Sequence, residues 1–185
     1  MKKILTVLGI TIASFAYSQG GTMIVNNYTA FEYRGTLFAN NFSGGCYPII
    51  ATNTGVIIPP DSHTGNGHAL IYTNYRDQFT LSQYPMPNWI VHIAANSSSV
   101  RPWNHGSLMP GGTFSLNTKW SATKFDMYDP ATSAYVTGFH ANMSIAANPC
   151  NTAVDYFVTP SGANSAEMFT ITTSTGLIET YLQLY

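Results

Sequence analysis

Charge is what this sequence has least of: Asp, Glu, Lys and Arg together make up 8% of its 185 residues, against roughly 25% in an average soluble protein. Basic residues are scarcer still, and two of the seven, Lys2 and Lys3, sit at the extreme N-terminus. The other five, Arg34, Arg76, Arg101, Lys119 and Lys124, are scattered along the chain. A protein that neutralises many phosphates needs a basic stripe, so nucleic acid is excluded as a partner. The same shortage removes an electrostatic attraction to an acidic membrane surface.

Long apolar runs are absent as well. The only extended one, Ile4 to Phe15, is about a dozen residues, short of the roughly 20 that span a bilayer, and no charged stop-transfer pattern follows it. It comes after the positive start Met1, Lys2, Lys3 and ends in the small-residue pattern Ala16, Tyr17, Ser18. That order of regions is a secretory signal peptide over residues 1–18, with cleavage leaving Gln19 first. No cysteine lies near the cut, so lipid attachment there is not expected. Removing Lys2 and Lys3 leaves five bases against eight acids, a net charge of −3 on the exported chain.

Catalytic signatures are missing too. The chain has no Gly-x-Ser-x-Gly elbow, no His-Glu-x-x-His pair, no phosphate-cradling glycine loop and no EF-hand-like acidic loop. Hydrolysis of sugars needs two carboxylates across one cleft, and the eight available are dispersed. Only two cysteines occur, Cys46 and Cys150. In an exported protein thiols oxidise, and one pair permits one connectivity, so a Cys46–Cys150 disulfide is expected. Neither cysteine has a histidine within a few residues, which argues against a catalytic thiol.

What the chain does have is aromatic side chains, 14% of the total, beside abundant Asn, Ser, Thr and Gly. The aromatics supply apolar area to offset chain entropy, so low charge here does not mean disorder. Apolar residues alternate with period two: Phe31 and Tyr33, Phe125 and Met127, Phe169 and Ile171, Trp89 with Val91 and Ile93, and Ile178, Thr180, Leu182 and Leu184. Thr113 to Trp120 reads the same way, with Phe114, Leu116 and Trp120 on one face. Turn-forming clusters separate the runs, at Asn40 to Gly45, Pro59 to Gly67, Pro85 to Asn88, Asn104 to Gly112, Asp129 to Ser133 and Pro160 to Ser165. No window carries a 3.6-residue stripe, so substantial helix is not expected. The pattern predicts one all-β domain over residues 19–185, an antiparallel sandwich or flattened barrel.

Two loops hold candidate site residues. Asp61, His63 and His68 lie close together in a Pro- and Gly-rich segment and supply the ligand types of a three-ligand zinc site; the alternative is that Asp61 caps a turn and the histidines are surface groups. In the loop Arg101, Pro102, Trp103, Asn104, His105, Gly106, a large ring stands among groups able to hydrogen-bond a polar ligand. Trp103 carries contact there with Arg101, Asn104 and His105 around it, or else it plugs the end of the core. Tyr72, Tyr75, Tyr84, Trp89 and Tyr128 carry the same ambiguity, with burial or cross-strand pairing the default.

Composition and missing motifs favour a secreted, non-catalytic binding or adhesion module for a carbohydrate or other cell-surface component, with no cofactor. Three alternatives share some of the same features: a membrane-active β-sandwich that binds or lyses lipid, a small metal-assisted extracellular hydrolase, and a subunit that self-assembles by strand addition at an unpaired edge. Protein purified from the exported fraction is expected to begin at or within about two residues of Gln19. An intact mass that still includes Lys2 and Lys3 would overturn the reading of an exported protein.

Overall fold

Alternation along the strands decides the architecture. The structure, a computed structural model, describes residues 21–77 and 83–185; the segment read as a signal peptide lies outside them. Thirteen strands are present: β1 (Thr22–Asn27), β2 (Glu32–Asn41), β3 (Cys46–Thr52), β4 (Val56–Ile58), β5 (Leu70–Thr73), β6 (Arg76–Asp77), β7 (Asn88–Ala94), β8 (Ser97–Pro102), β9 (Lys119–Tyr128), β10 (Tyr135–Ser144), β11 (Tyr156–Val158), β12 (Ser165–Thr172) and β13 (Ile178–Leu184). Among the described residues one short α-helix, α1 (Thr113–Asn117), precedes β9.

The strands form two sheets, β11-β12-β13-β1-β5-β6 and β10-β9-β2-β3-β7-β8 with β4 beside β2. Every pairing is antiparallel except that of β1 with β13. Inward-facing residues of both sheets belong to one core, with Met23, Leu182 and Met168 from the first and Leu37, Ile50 and Met127 from the second. This is the expected sandwich. None of its described helices is long and apolar enough to cross a membrane.

In β2 the pattern is nearly ideal: Tyr33, Gly35, Leu37 and Ala39 are buried, and Arg34, Thr36 and Phe38 lie between them on the outer face. β9 departs from it. Phe38 pairs with Ala122 while Ala39 pairs with Trp120, so Ser121 is an extra residue. The bulge reverses the parity of the strand and lets both Trp120 and Phe125 face the core. Its hydroxyl is anchored by donation to Asn40 Oδ1 at 2.7 Å, and its carbonyl accepts from Ile145 N at 3.0 Å and Ser144 Oγ at 3.1 Å.

Two expectations from periodicity are corrected. Thr113 to Trp120 is not one strand, because residues 113–117 form α1. The Ser107 carbonyl accepts the amides of Phe114 and Ser115, Ser115 Oγ donates to Met109 O at 2.6 Å, and Thr118 Oγ1 donates to Phe114 O at 2.6 Å. These side-chain bonds close a helical turn that the alternation of apolar residues did not reveal. In β12 the buried face is Ala166 and Met168; Phe169 stacks on Tyr181 outside, and Ile171 is 46% exposed. The pairing Met168 with Leu182 sets this, since cross-strand partners share a face.

Four rings join the sheets. Tyr72 on β5 and Tyr75 just after it meet Trp89 on β7 and Trp120 on β9, with neighbouring centroids 5.3–6.3 Å apart. Such pairs add to the area they bury when the rings are offset or edge-on. Tyr72 OH donates to Tyr84 O at 2.7 Å, Tyr75 OH bonds Thr118 Oγ1, and Trp89 Nε1 donates to Tyr75 O at 2.9 Å. A second group, Tyr33 with Phe125 and Phe139, fills the other half of the core, with Tyr33 OH bonded to Thr123 Oγ1 at 2.8 Å. Tyr84 is buried as well, and Tyr128 packs edge-on against its cross-strand partner Tyr135.

Cys46 and Cys150 are bonded, with Cα atoms 5.4 Å apart, tying the loop after β10 to the start of β3. The sequence separation is 104 residues. In the chain-entropy account that closure is worth about 4.7 kcal/mol. Allowing for residual structure in the reduced chain, a loss of about 3 kcal/mol would lower the Tm by roughly 6–12 °C. Reduced and oxidised protein melting within about 2 °C of each other would contradict a stabilising bridge.

Burial pushes the phenols of Tyr33, Tyr72 and Tyr75 well above their ordinary value, and the charge of Asp77 adds to the effect at Tyr72. A raised acid pKa in the folded state means the unfolded chain loses those protons first. Stability should therefore hold up to about pH 10 and fall above it. In a spectrophotometric titration these three phenols should ionise only on unfolding. Reversible ionisation of every tyrosine near pH 10, without unfolding, would contradict the core described above.

Candidate functional site: the Trp103 cleft

Trp103 leaves the sheet at the end of β8, and its amide donates to Pro87 O at 2.9 Å. Beyond it the chain is wound into turns by His105 N to Pro102 O at 2.9 Å, Leu108 N to His105 O at 2.8 Å and Gly112 N to Met109 O at 2.8 Å. Leu108 drops into the core, while Trp103 is half-buried and packs against the core's edge. The Arg76 guanidinium lies over the indole, 5.1 Å from the ring centroid.

Opposite stands the turn between β5 and β6. Asn74 has φ +53°, the left-handed conformation that Asn tolerates better than most residues. Its amide donates to Gly21 O at 2.9 Å. The side chain is buried, and its Oδ1 has no hydrogen-bond partner among the described residues. Between the two walls lies a cleft of about 440 Å³. Trp103, Leu108, Met109 and Pro110 form its apolar side, and Thr73, Asn74, Arg76 and Asp77 its polar side, with Tyr75 between. Such a volume and mixture of walls suit a small polar ligand with an apolar face.

Of the four residues expected to form this site, Trp103 alone lines the cleft. Arg101 donates from Nη1 to Ser107 Oγ at 3.2 Å and from Nε to Ser99 Oγ at 3.3 Å, and sits 4.9 Å over the Phe114 ring. It braces the loop. His105 Nδ1 accepts the Ser107 amide at 3.2 Å and pairs with its hydroxyl at 2.8 Å. Asn104 is exposed at the loop surface. Arg76, Asp77 and Asn74 escaped the sequence reading. In so charge-poor a chain, an adjacent pair of opposite charges beside an Asn turn was the available signal.

Asp61 and His63 do meet, with Nε2 3.2 Å from Oδ1. His63 Nδ1 accepts the Gly65 amide at 3.1 Å, capping the single helical turn Thr64–Asn66, and its ring stacks on Tyr28 at 4.6 Å. Both nitrogens of His63 are thus engaged in holding the loop. His68 turns instead to Gln83, Nδ1 to Nε2 at 3.2 Å. Among the described residues no three His, Cys, Asp or Glu side chains group so as to hold a metal ion. No protein-family model, curated protein or solved structure matches the chain.

Proposed function

We propose that this protein is a secreted, non-catalytic binding module that takes a carbohydrate, or a similar polyhydroxylated cell-surface component, into the Trp103 cleft. The observation that carries this reading is that a half-buried indole, Trp103, and the polar residues Thr73, Asn74, Arg76 and Asp77 line one cleft. An aromatic wall accepts the C–H face of a sugar ring, and polar side chains beside it exchange hydrogen bonds with the ring's hydroxyls. Arg76 adds a guanidinium to the polar wall of the cleft. Export is supported by the N-terminal sequence pattern and by a disulfide, a bond rare in reducing compartments.

A glycan array probed with the mature, oxidised protein identifies the ligand class, and calorimetry on the best glycan then measures Trp103→Ala. The expected loss is about 1–3 kcal/mol, or roughly 5- to 150-fold in affinity, with the Tm lowered by only a few degrees. An array without a hit, or Trp103→Ala binding as tightly as the parent, would overturn the reading. A stability loss of about 3–5 kcal/mol would mark Trp103 as a core plug instead.

A further inference from the structure

We infer a second binding site, for an acidic saccharide, in a groove on the outer face of the sheet β10-β9-β2-β3-β7-β8. It is separate from the Trp103 cleft and does not rest on that reading.

Register builds the groove. Lys124 on β9 lies opposite Asn142 on β10 and Thr36 on β2, Ala122 opposite Phe38, and Ile49 opposite both Asn40 and His92. Outward side chains from five strands therefore meet in a recess of about 370 Å³. Small, buried Ala122 leaves space at its floor, and the disulfide at Cys150 fixes the wall that carries Asn151.

Its chemistry is one-sided. Phe38 and Tyr47 present half-buried ring faces, and the polar lining consists of amides, Lys124 and His92, with no carboxylate. Asp126, two residues on along β9, sits in register with Arg34 and lines a neighbouring recess that shares Lys124 with the groove. Among the described residues no other protein group takes up the side-chain donors of Lys124, His92, Asn142 and Tyr47.

Unused donors converging beside aromatic faces suit a ring with an apolar C–H face, hydroxyls at its rim and one carboxylate. A single ammonium matches one carboxylate per ring and falls short of the multiple cations a polyphosphate requires. That combination defines a uronic acid residue in an oligosaccharide. Lys124 pairs with the carboxylate, the amides of Asn142 and Asn151 meet hydroxyls, and Phe38 and Tyr47 flank the sugar ring.

Calorimetry with the mature, oxidised protein tests this against short oligosaccharides of galacturonate, glucuronate, mannuronate and guluronate, each beside its methyl ester. The esters keep the rings and remove the charge. At least one acid form should bind, its ester at least tenfold more weakly. Exposed Lys124 should tolerate Lys124→Gln without a change in Tm, and that variant should lose at least tenfold in affinity for the acid form. Phe38→Ala should lose a similar factor, whereas Trp103→Ala should leave this binding intact. No binding to any uronate, equal affinity for acid and ester, or a Lys124→Gln variant within twofold of the parent would each overturn the proposal. Loss of uronate binding in Trp103→Ala with Lys124→Gln unaffected would assign the saccharide to the other cleft.

Discussion

The junction of Tyr72, Tyr75, Trp89 and Trp120 is the constraint on which most of the molecule depends. Two of these rings belong to β5 and the turn after it, and two to the opposite sheet, so they close the sandwich along one line. Three of the four have a polar tip satisfied in place, which lets large, partly polar rings fill a core without orphaned donors. Trp120 Nε1 is the exception, buried with no partner among the described residues. The same junction positions the Trp103 cleft. Tyr75 lies between Asn74 and Arg76, and Thr118, bonded to Tyr75, ends α1 and begins the approach to β9.

Low charge has a structural counterpart. Amides and hydroxyls carry out much of the fastening that ion pairs or longer turns perform in other proteins. Asn27 accepts from Thr29 N and donates to Phe31 O and Pro59 O, closing the corner between β1 and β2. Asn41 accepts the amides of Ser43 and Gly44 before β3, and Asp129 accepts those of Ala131 and Thr132 between β9 and β10. Asn148 accepts Cys150 N and donates to Ser144 Oγ, holding the disulfide loop against the bulge at Ser121. Several of these side chains are buried, so the abundance of Asn is as much an internal device as a surface coating.

Against that background the two recesses differ in kind. The Trp103 cleft has an apolar wall, a buried carboxamide and both signs of charge, and its polar residues sit on a turn between short strands. The groove on the outer face rises directly from paired strands, and its lining has one ammonium and no carboxylate. A site carried on strands is held by the register of the sheet, whereas one carried on loops is held by the side-chain bonds that wind the loop, as Arg101 and His105 do beside Trp103.

Period-two alternation and the turn-forming clusters between runs are local properties, and they determined by themselves that this is a β protein with short strands. The presence of only two cysteines fixed which pair had to bond. Register, by contrast, is a property of partners distant in sequence, so the inward face of β12 depended on Leu182 and the reversal in β9 on the bulge at Ser121. The turn of helix at residues 113–117 was hidden because its stabilising groups, Ser107, Ser115 and Thr118, are polar and invisible to an apolar pattern. The Trp103 loop was legible as a place for a ring, since a large aromatic among turn residues stands outside any strand. Which residues surround that ring was decided only by the tertiary structure. Arg76 and Asp77 reach it through the pairing of β5 with β6 and the ring junction beneath, and neighbours in sequence such as Arg101 and His105 are drawn away by the hydrogen bonds that shape their own loop.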